Sequence, residues 1–219
     1  PSVAGNLQGL LEDSTNFEVN GQEMGFEFLD YGSTLGSIGS TPGGIFEVQL
    51  GGAAGTVVTG KYFESLKGNK KGTLTFTQAG AKVTFVGKDI VNSSEMDLFN
   101  FEFSTEAPHK ADMLSAVKNG QNAFVYSFAH HGELPGMASF SIETDIEEGT
   151  GVNVYLFDSV TGKFSKIAGN ISVGAQGLVT YKNNTMSEYL ITTQTLSGEN
   201  LTGDSSPKNF LSDKYLLII

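Results

Sequence analysis

Residues 152–167 have the sequence VNVYLFDSVTGKFSKI, and residues 178–193 have the sequence LVTYKNNTMSEYLITT. In each stretch, apolar and aromatic residues flank a short segment of turn-forming residues, Asp158–Gly162 in the first and Asn183-Asn184 in the second. Runs of this kind, bounded by Gly, Asn or Asp, are typical of β-hairpins. Both stretches are therefore predicted to form hairpins.

The same pattern continues towards the N-terminus. Thr73–Thr77 and Lys82–Val86 flank a turn at residues 78–80, and Ile45–Leu50 alternates two sets of residues on opposite faces. Turn signals recur about every 8–12 residues, which is the spacing found in sandwiches and barrels. The predicted fold class is therefore all-β, with mainly antiparallel sandwich-like sheets and one or two short helices.

A few segments depart from the strand pattern. His109–Asn119 is the clearest predicted helix, because its apolar residues share one face and Gly120 follows it. Lys61–Lys67 is predicted to form one or two helical turns. Residues 32–44, GSTLGSIGSTPGG, are predicted to be a loop because Gly and Ser dominate them.

The pattern of strands divides the chain into three predicted parts. Residues 1–134 form a β-rich N-terminal part that contains the predicted helix at 109–119. Residues 135–195 form a compact immunoglobulin-like β part, and residues 196–219 form a polar tail with a short terminal strand. A Gly-rich break after residue 50 leaves two alternatives for residues 1–54, which fold either with the rest or as a separate module.

The composition argues against several classes of function. The chain has a net charge of −11, its 13 basic residues are all lysines, and it has no cysteine. An acidic chain without arginine is poorly suited to contact phosphates, so nucleic acid is not expected as a partner. The absence of cysteine excludes thiolate metal sites and a cysteine nucleophile. No apolar run approaches the roughly 20 residues of a transmembrane helix, so membrane insertion is not expected.

Four residues are candidates for carbohydrate binding: Asp30, Tyr31, Tyr62 and Tyr181. Sugar rings stack on flat aromatic side chains, and these tyrosines could take the place of the absent tryptophan. Tyr31 is the most suggestive, since Asp30 beside it could bond sugar hydroxyls and a Gly/Ser loop follows. The alternative is that each tyrosine packs its ring in the core and bonds its hydroxyl locally.

Metal binding and catalysis have weaker support in the sequence. Asp145, Glu147 and Glu148 could donate two or three oxygens to calcium from a flexible loop, the alternative being a solvated acidic loop. The cluster at residues 130–133, HHGE, does not fit zinc, because adjacent strand residues point to opposite faces. No Gly-x-Ser-x-Gly elbow is present and no Walker string opens a helix. The chain is therefore not expected to be an enzyme or to hold a cofactor other than calcium.

Three motifs occur together in the second half of the chain: HGELPGMA (131–138), VYLFDSVTGK (154–163) and GLVTY followed by SEYLIT (177–192). With the run at 62–90 that precedes them, residues from about 55 to 195 resemble a recurring module of extracellular proteins from clostridia and related anaerobic bacteria. Such modules occur in surface-anchored and cellulosomal proteins.

The resemblance implies a non-catalytic extracellular module with a structural or adhesion role, attached to the cell surface through other parts of its parent protein. The expected partners are polysaccharide or neighbouring surface protein modules. The alternative is a carbohydrate-binding module for plant or cell-wall polysaccharide. Exposed tyrosines on a shallow platform would favour the carbohydrate-binding module, and buried aromatic side chains would favour the structural role.

Overall fold

The structure is a computed structural model that describes residues 17–19, 22–24, 31–51 and 55–196, with side chains from residue 36 onwards. Strands dominate these residues, so the all-β prediction is confirmed. The strands are β1 (Phe17–Val19), β2 (Gln22–Met24), β3 (Ile45–Gln49), β4 (Val57–Thr59), β5 (Thr73–Gln78), β6 (Ala81–Ile90), β7 (Leu98–Asn100), β8 (Phe103–Ser104), β9 (Ala123–Glu143), β10 (Gly151–Asp158), β11 (Lys163–Ser172) and β12 (Leu178–Thr192). The helices are α1 (Tyr31–Ser40), α2 (Lys61–Gly68) and α3 (Lys110–Ser115).

Eight of the described strands join in one mixed sheet. Seven lie in the order β11-β10-β12-β9-β6-β5-β3, and β8 pairs with β9 beside this row. Every pair is antiparallel except β3 and β5, which run parallel from Ile45 opposite Thr73 to Gln49 opposite Thr77. The strand pairs β1–β2 and β4–β7 are separate two-stranded ribbons. The predicted hairpins at 73–86 and 152–167 are confirmed as β5–β6 and β10–β11.

The central strands β9 and β12 form a long ribbon that folds back on itself. Phe128 and Phe140 are twelve residues apart on β9, a separation of about 40 Å in a straight strand. Their ring centroids are nevertheless 5.8 Å apart. The hydroxyls of Tyr126 and Tyr181, one from each half of the ribbon, also hydrogen-bond to each other. The two halves of the ribbon therefore face each other, which makes the arrangement sandwich-like within one continuous sheet.

The bend lies at the HGELPGMA motif. Gly132 has a φ of +152°, a backbone conformation that residues other than glycine rarely adopt. Gly136 lies so close to the backbone of Asp89 that a Cβ atom would meet its carbonyl oxygen at 2.0 Å. On β12, register shifts between Asn183 and Thr185 and between Met186 and Glu188 mark bulges, and bulges bend a strand. The HGELPGMA motif, one of the three motifs that carry the resemblance, therefore forms the bend of the ribbon.

Two sequence-based predictions concerning this ribbon are corrected. Asn183-Asn184 was predicted to be a hairpin turn, but Leu178–Thr192 is one continuous strand that bends at its bulges. The predicted boundary between residues 134 and 135 falls inside β9. The larger hydrophobic cluster contains residues from both sides of this boundary, among them Phe85 and Phe140, so the boundary does not separate two cores.

The predicted loop at 32–44 is largely helical. Helix α1 covers Tyr31–Ser40, and Ile38 on it is fully buried. Asn69 closes the C-terminal end of the helix, because its Nδ2 atom donates to the carbonyl oxygens of Ile38 at 3.0 Å and Thr41 at 2.7 Å. Unpaired carbonyls at a helix end need such partners. A contact with a residue 31 positions away thus overrides the local Gly/Ser composition.

Apolar side chains form two clusters on opposite faces of the sheet. On β12, Tyr189 and Ile191 belong to the larger cluster, and Leu190 between them belongs to the smaller one. Helix α2 covers the larger cluster, where the Phe63 ring lies 4.9 Å from that of Phe85. Helix α3 covers the smaller cluster through Met113. Among the described helices, none combines the length and the apolar character needed to cross a bilayer.

Candidate functional site

A half-open pocket of about 310 Å³ lies between helix α3 and the loop of the β10–β11 hairpin. We call it the α3 pocket. Helix α3 and the residue before it contribute polar side chains, and the hairpin contributes two phenylalanines and small residues. The main lining residues are His109, Asp112, Ser115, Phe157, Ser159 and Phe164.

The most constrained polar group of the α3 pocket is His109. Glu188, a residue of β12 whose side chain is only 2% exposed, accepts two hydrogen bonds from it. One comes from the backbone N–H of His109 at 2.9 Å, and the other joins ring atom Nδ1 to Oε1 at 2.7 Å. A buried carboxylate needs partners of this kind. The pair therefore fixes the imidazole ring and ties the start of α3 to the centre of the sheet.

Hydrogen bonds also hold the hairpin loop on the other side of the α3 pocket. The Asp158 side chain accepts hydrogen bonds from the backbone N–H groups of Val160 and Thr161 and from the Thr161 hydroxyl. Gly162, with a φ of +67°, closes this turn. The Phe157 ring lies 5.7 Å from the His109 imidazole. Both sides of the pocket are thus held by hydrogen bonds within the protein before any ligand binds.

Two of the four candidate residues for carbohydrate binding, Tyr62 and Tyr181, have described side chains, and neither lines this pocket. Tyr62 and Tyr181 are 1% and 4% exposed, so neither ring offers a face on which a sugar could stack. This finding corrects the prediction for both, because each ring packs in the larger core cluster. Asp30 lies outside the described residues. Tyr31 is the first residue of α1, and its side chain also lies outside the described part.

The candidate calcium ligands lie in the loop between β9 and β10. Asp145, Glu147 and Glu148 are all exposed, and Ile146 between them is buried. Within residues 31–51 and 55–196, no three side chains of His, Asp or Glu come together in a way that could hold a metal ion. The three carboxylates are therefore not gathered into a site in this structure, and calcium binding by this loop stays a prediction.

In the cluster at residues 130–133, the contacts of His130 are with a neighbouring ring and with the backbone. The His130 ring packs at 5.2 Å from the ring of Phe99, and its Nε2 atom lies 3.3 Å from the carbonyl oxygen of Glu133. Burial lowers the pKa of His130, which favours the neutral ring. The neutral imidazole fits its position at the bend of β9.

Three tyrosine hydroxyls form a buried polar group beneath the bend. Tyr126, Tyr181 and Tyr189 lie close together, and the Tyr189 hydroxyl donates to the carbonyl oxygen of Thr185 at 2.6 Å and accepts from Nδ2 of Asn183 at 2.9 Å. Burial raises the pKa of all three tyrosines, because a phenolate would lose its hydration.

This burial predicts a loss of stability in alkali. An unfolded tyrosine ionises near pH 10, whereas folded Tyr189 stays protonated above that pH, so its contribution is complete below about pH 10 and is lost above it. We expect the free energy of unfolding to fall with pH less steeply in Tyr189→Phe, by up to about 1.4 kcal/mol per pH unit. Urea unfolding between neutral pH and pH 11 measures both slopes. Equal slopes would contradict the prediction.

The α3 pocket is the feature that sequence analysis missed. His109 and Glu188 are 79 residues apart, and neither lies in a motif for catalysis or binding. The one available signal was Glu188 itself, a carboxylate in a predicted strand that is followed directly by Tyr189, Leu190 and Ile191.

Comparison with known proteins found no match for the chain. No family model matches it, and no curated protein or solved structure was found to be similar to it.

Proposed function

We propose that this chain is a non-catalytic structural or adhesive module of a bacterial cell-surface protein. The proposal rests first on the resemblance of residues from about 55 to 195 to modules of extracellular clostridial proteins. It also fits the acidic composition, with a net charge of −11. The parent protein would supply the attachment to the cell, and neighbouring modules or wall polymers would be the partners.

One observation favours this role over the alternative of a carbohydrate-binding module. Every tyrosine whose side chain is described is at most 4% exposed; these are Tyr62, Tyr126, Tyr155, Tyr181 and Tyr189. A sugar-stacking platform needs exposed aromatic faces. In this chain the described tyrosines instead pack against other rings, for example Phe140 stacked on Tyr181 with 5.2 Å between ring centroids. Aromatic side chains used in this way stabilise the module and leave no stacking platform among the described tyrosines.

Retention on insoluble polysaccharides tests the proposal. We expect the purified chain to pass through cellulose and xylan with no more retention than an unrelated acidic protein, with or without calcium. Retention on one polymer that is lost in Tyr31→Ala would favour the carbohydrate-binding module. Tyr62→Phe is the matched control, because this ring is buried and keeping it should leave any retention unchanged.

A further inference from the structure

We propose that the α3 pocket binds an organic ammonium group carried on a short apolar stem, such as a lysine side chain or an amino sugar. This inference goes beyond the structural or adhesive role and does not depend on it. It rests on the hydrogen-bonding character of the groups that face the pocket, on their charge and on the pocket's size.

The first step concerns the free nitrogen of His109. Because an ionised carboxylate only accepts hydrogen bonds, Nδ1 must be the donor in its contact with Glu188. In the neutral imidazole the other nitrogen, Nε2, is then an acceptor. The ring is 39% exposed and lines the pocket, so Nε2 is available to a ligand that donates a hydrogen bond.

The second step concerns Asp112. It belongs to the first turn of α3, and His109 is the residue that precedes this helix. Both residues line the pocket. The Asp112 carboxylate has no hydrogen-bond or salt-bridge partner within the described part of the chain. It adds a negative charge and further acceptor atoms to the same pocket lining as His109.

The third step concerns the absence of a lysine from the pocket lining. No lysine lines the described pocket, and the hydroxyls of Ser115 and Ser159 can accept as well as donate. An ammonium group has three donors and no acceptor, which matches an imidazole nitrogen, a carboxylate and a hydroxyl. An anionic ligand would meet the Asp112 charge without a compensating cation.

The fourth step concerns the stem of the ligand. Phe157 and Phe164 border the pocket on its apolar side, each with only a small exposed edge, at 5% and 2% exposure. A volume of about 310 Å³ is at the lower end of the range for small-molecule pockets, so it suits a side-chain-sized group. The buried Glu188 holds His109 in place beforehand, which reduces the loss of side-chain freedom on binding.

NMR titration of the full chain with Nα-acetyl-lysine methylamide tests the proposal. We expect shifts of backbone signals from α3 and the hairpin loop, and no such shifts with the norleucine analogue, which lacks the ammonium group. Asp112→Asn should weaken binding about tenfold, the effect of losing a hydrogen bond to a charged group. Asp145→Asn is the matched control, because this exposed carboxylate does not line the pocket, and it should leave the affinity unchanged.

Further ligands separate the sources of the amine. Glucosamine that binds while N-acetylglucosamine does not would identify an amino sugar, whereas binding of the lysine analogue alone would identify a peptide side chain. Equal binding of the norleucine and lysine analogues, or full affinity in Asp112→Asn, would overturn the proposal. Cellulose and xylan carry no amines, so their retention test can fail or succeed independently of this one.

Discussion

Replacing Phe140 by alanine is expected to lower the free energy of unfolding by about 4 kcal/mol. The Phe140 ring is fully buried and lies where the two halves of the β9–β12 ribbon meet. It packs edge-on against Phe128 and stacks on Tyr181. Truncation would remove both contacts and leave a cavity that the surrounding strands cannot close, because each is held in register by its neighbours. Urea unfolding followed by circular dichroism measures the loss.

Met137→Ala is the matched control for this prediction. Met137 lies on the same strand three residues before Phe140, and its side chain is 42% exposed. Its truncation should change the free energy of unfolding by no more than about 0.5 kcal/mol. If the two variants were equally stable, Phe140 would not lie in a closed core. The result would contradict the arrangement in which the two halves of the ribbon face each other.

Replacing Gly136 by alanine is expected to lower the free energy of unfolding by about 3 kcal/mol, at the upper end of the range for overpacking. A Cβ atom at this position would lie 2.0 Å from the carbonyl oxygen of Asp89 and 2.8 Å from its carbonyl carbon. These are backbone atoms, so the clash cannot be relieved by a change of rotamer. Strand β6 would have to move away from β9 at the bend.

Gly151→Ala provides the comparison for Gly136→Ala. Gly151 also belongs to a strand of the sheet, but no atom lies within 4 Å of the position of its Cβ. We expect this substitution to be neutral or to stabilise by up to about 1 kcal/mol, since it restricts the unfolded chain. Similar losses in both variants would show that the close approach of β6 and β9 is absent.

Local patterns in the sequence predicted the parts of the fold that depend on local contacts. The β5–β6 and β10–β11 hairpins join strands across turns of a few residues. Helix α2 (Lys61–Gly68) forms where helical turns were predicted at 61–67. In such elements the turn residues and the alternation of apolar side chains set the register. Prediction from a single sequence succeeded there because the deciding contacts lie within the same window of residues.

The errors arose where the deciding contact is distant in the sequence. Asn69 caps α1 from 31 residues away, so residues 32–44 resembled a loop. Asn183-Asn184 looked like a turn, although these residues continue a strand paired with β9, at a site of bulging. The α3 pocket depends on the contact between His109 and Glu188 across 79 residues. Tyr62 and Tyr181 became candidates for sugar binding because residue type alone does not reveal burial.

The pairing of β9 with β12 also determines when the protein can fold during its synthesis. Ala123, the first residue of β9, pairs with Thr192, so this end of β9 lacks its partner on the β12 side until nearly 70 further residues have been made. Pairings between such distant segments form slowly, and an unpaired strand edge is prone to aggregate. A chain whose synthesis stops anywhere between β9 and β12 would have β9 open on the side where β12 pairs with it. We therefore expect an incomplete chain that ends between β9 and β12 to aggregate more readily than its short hairpins would suggest.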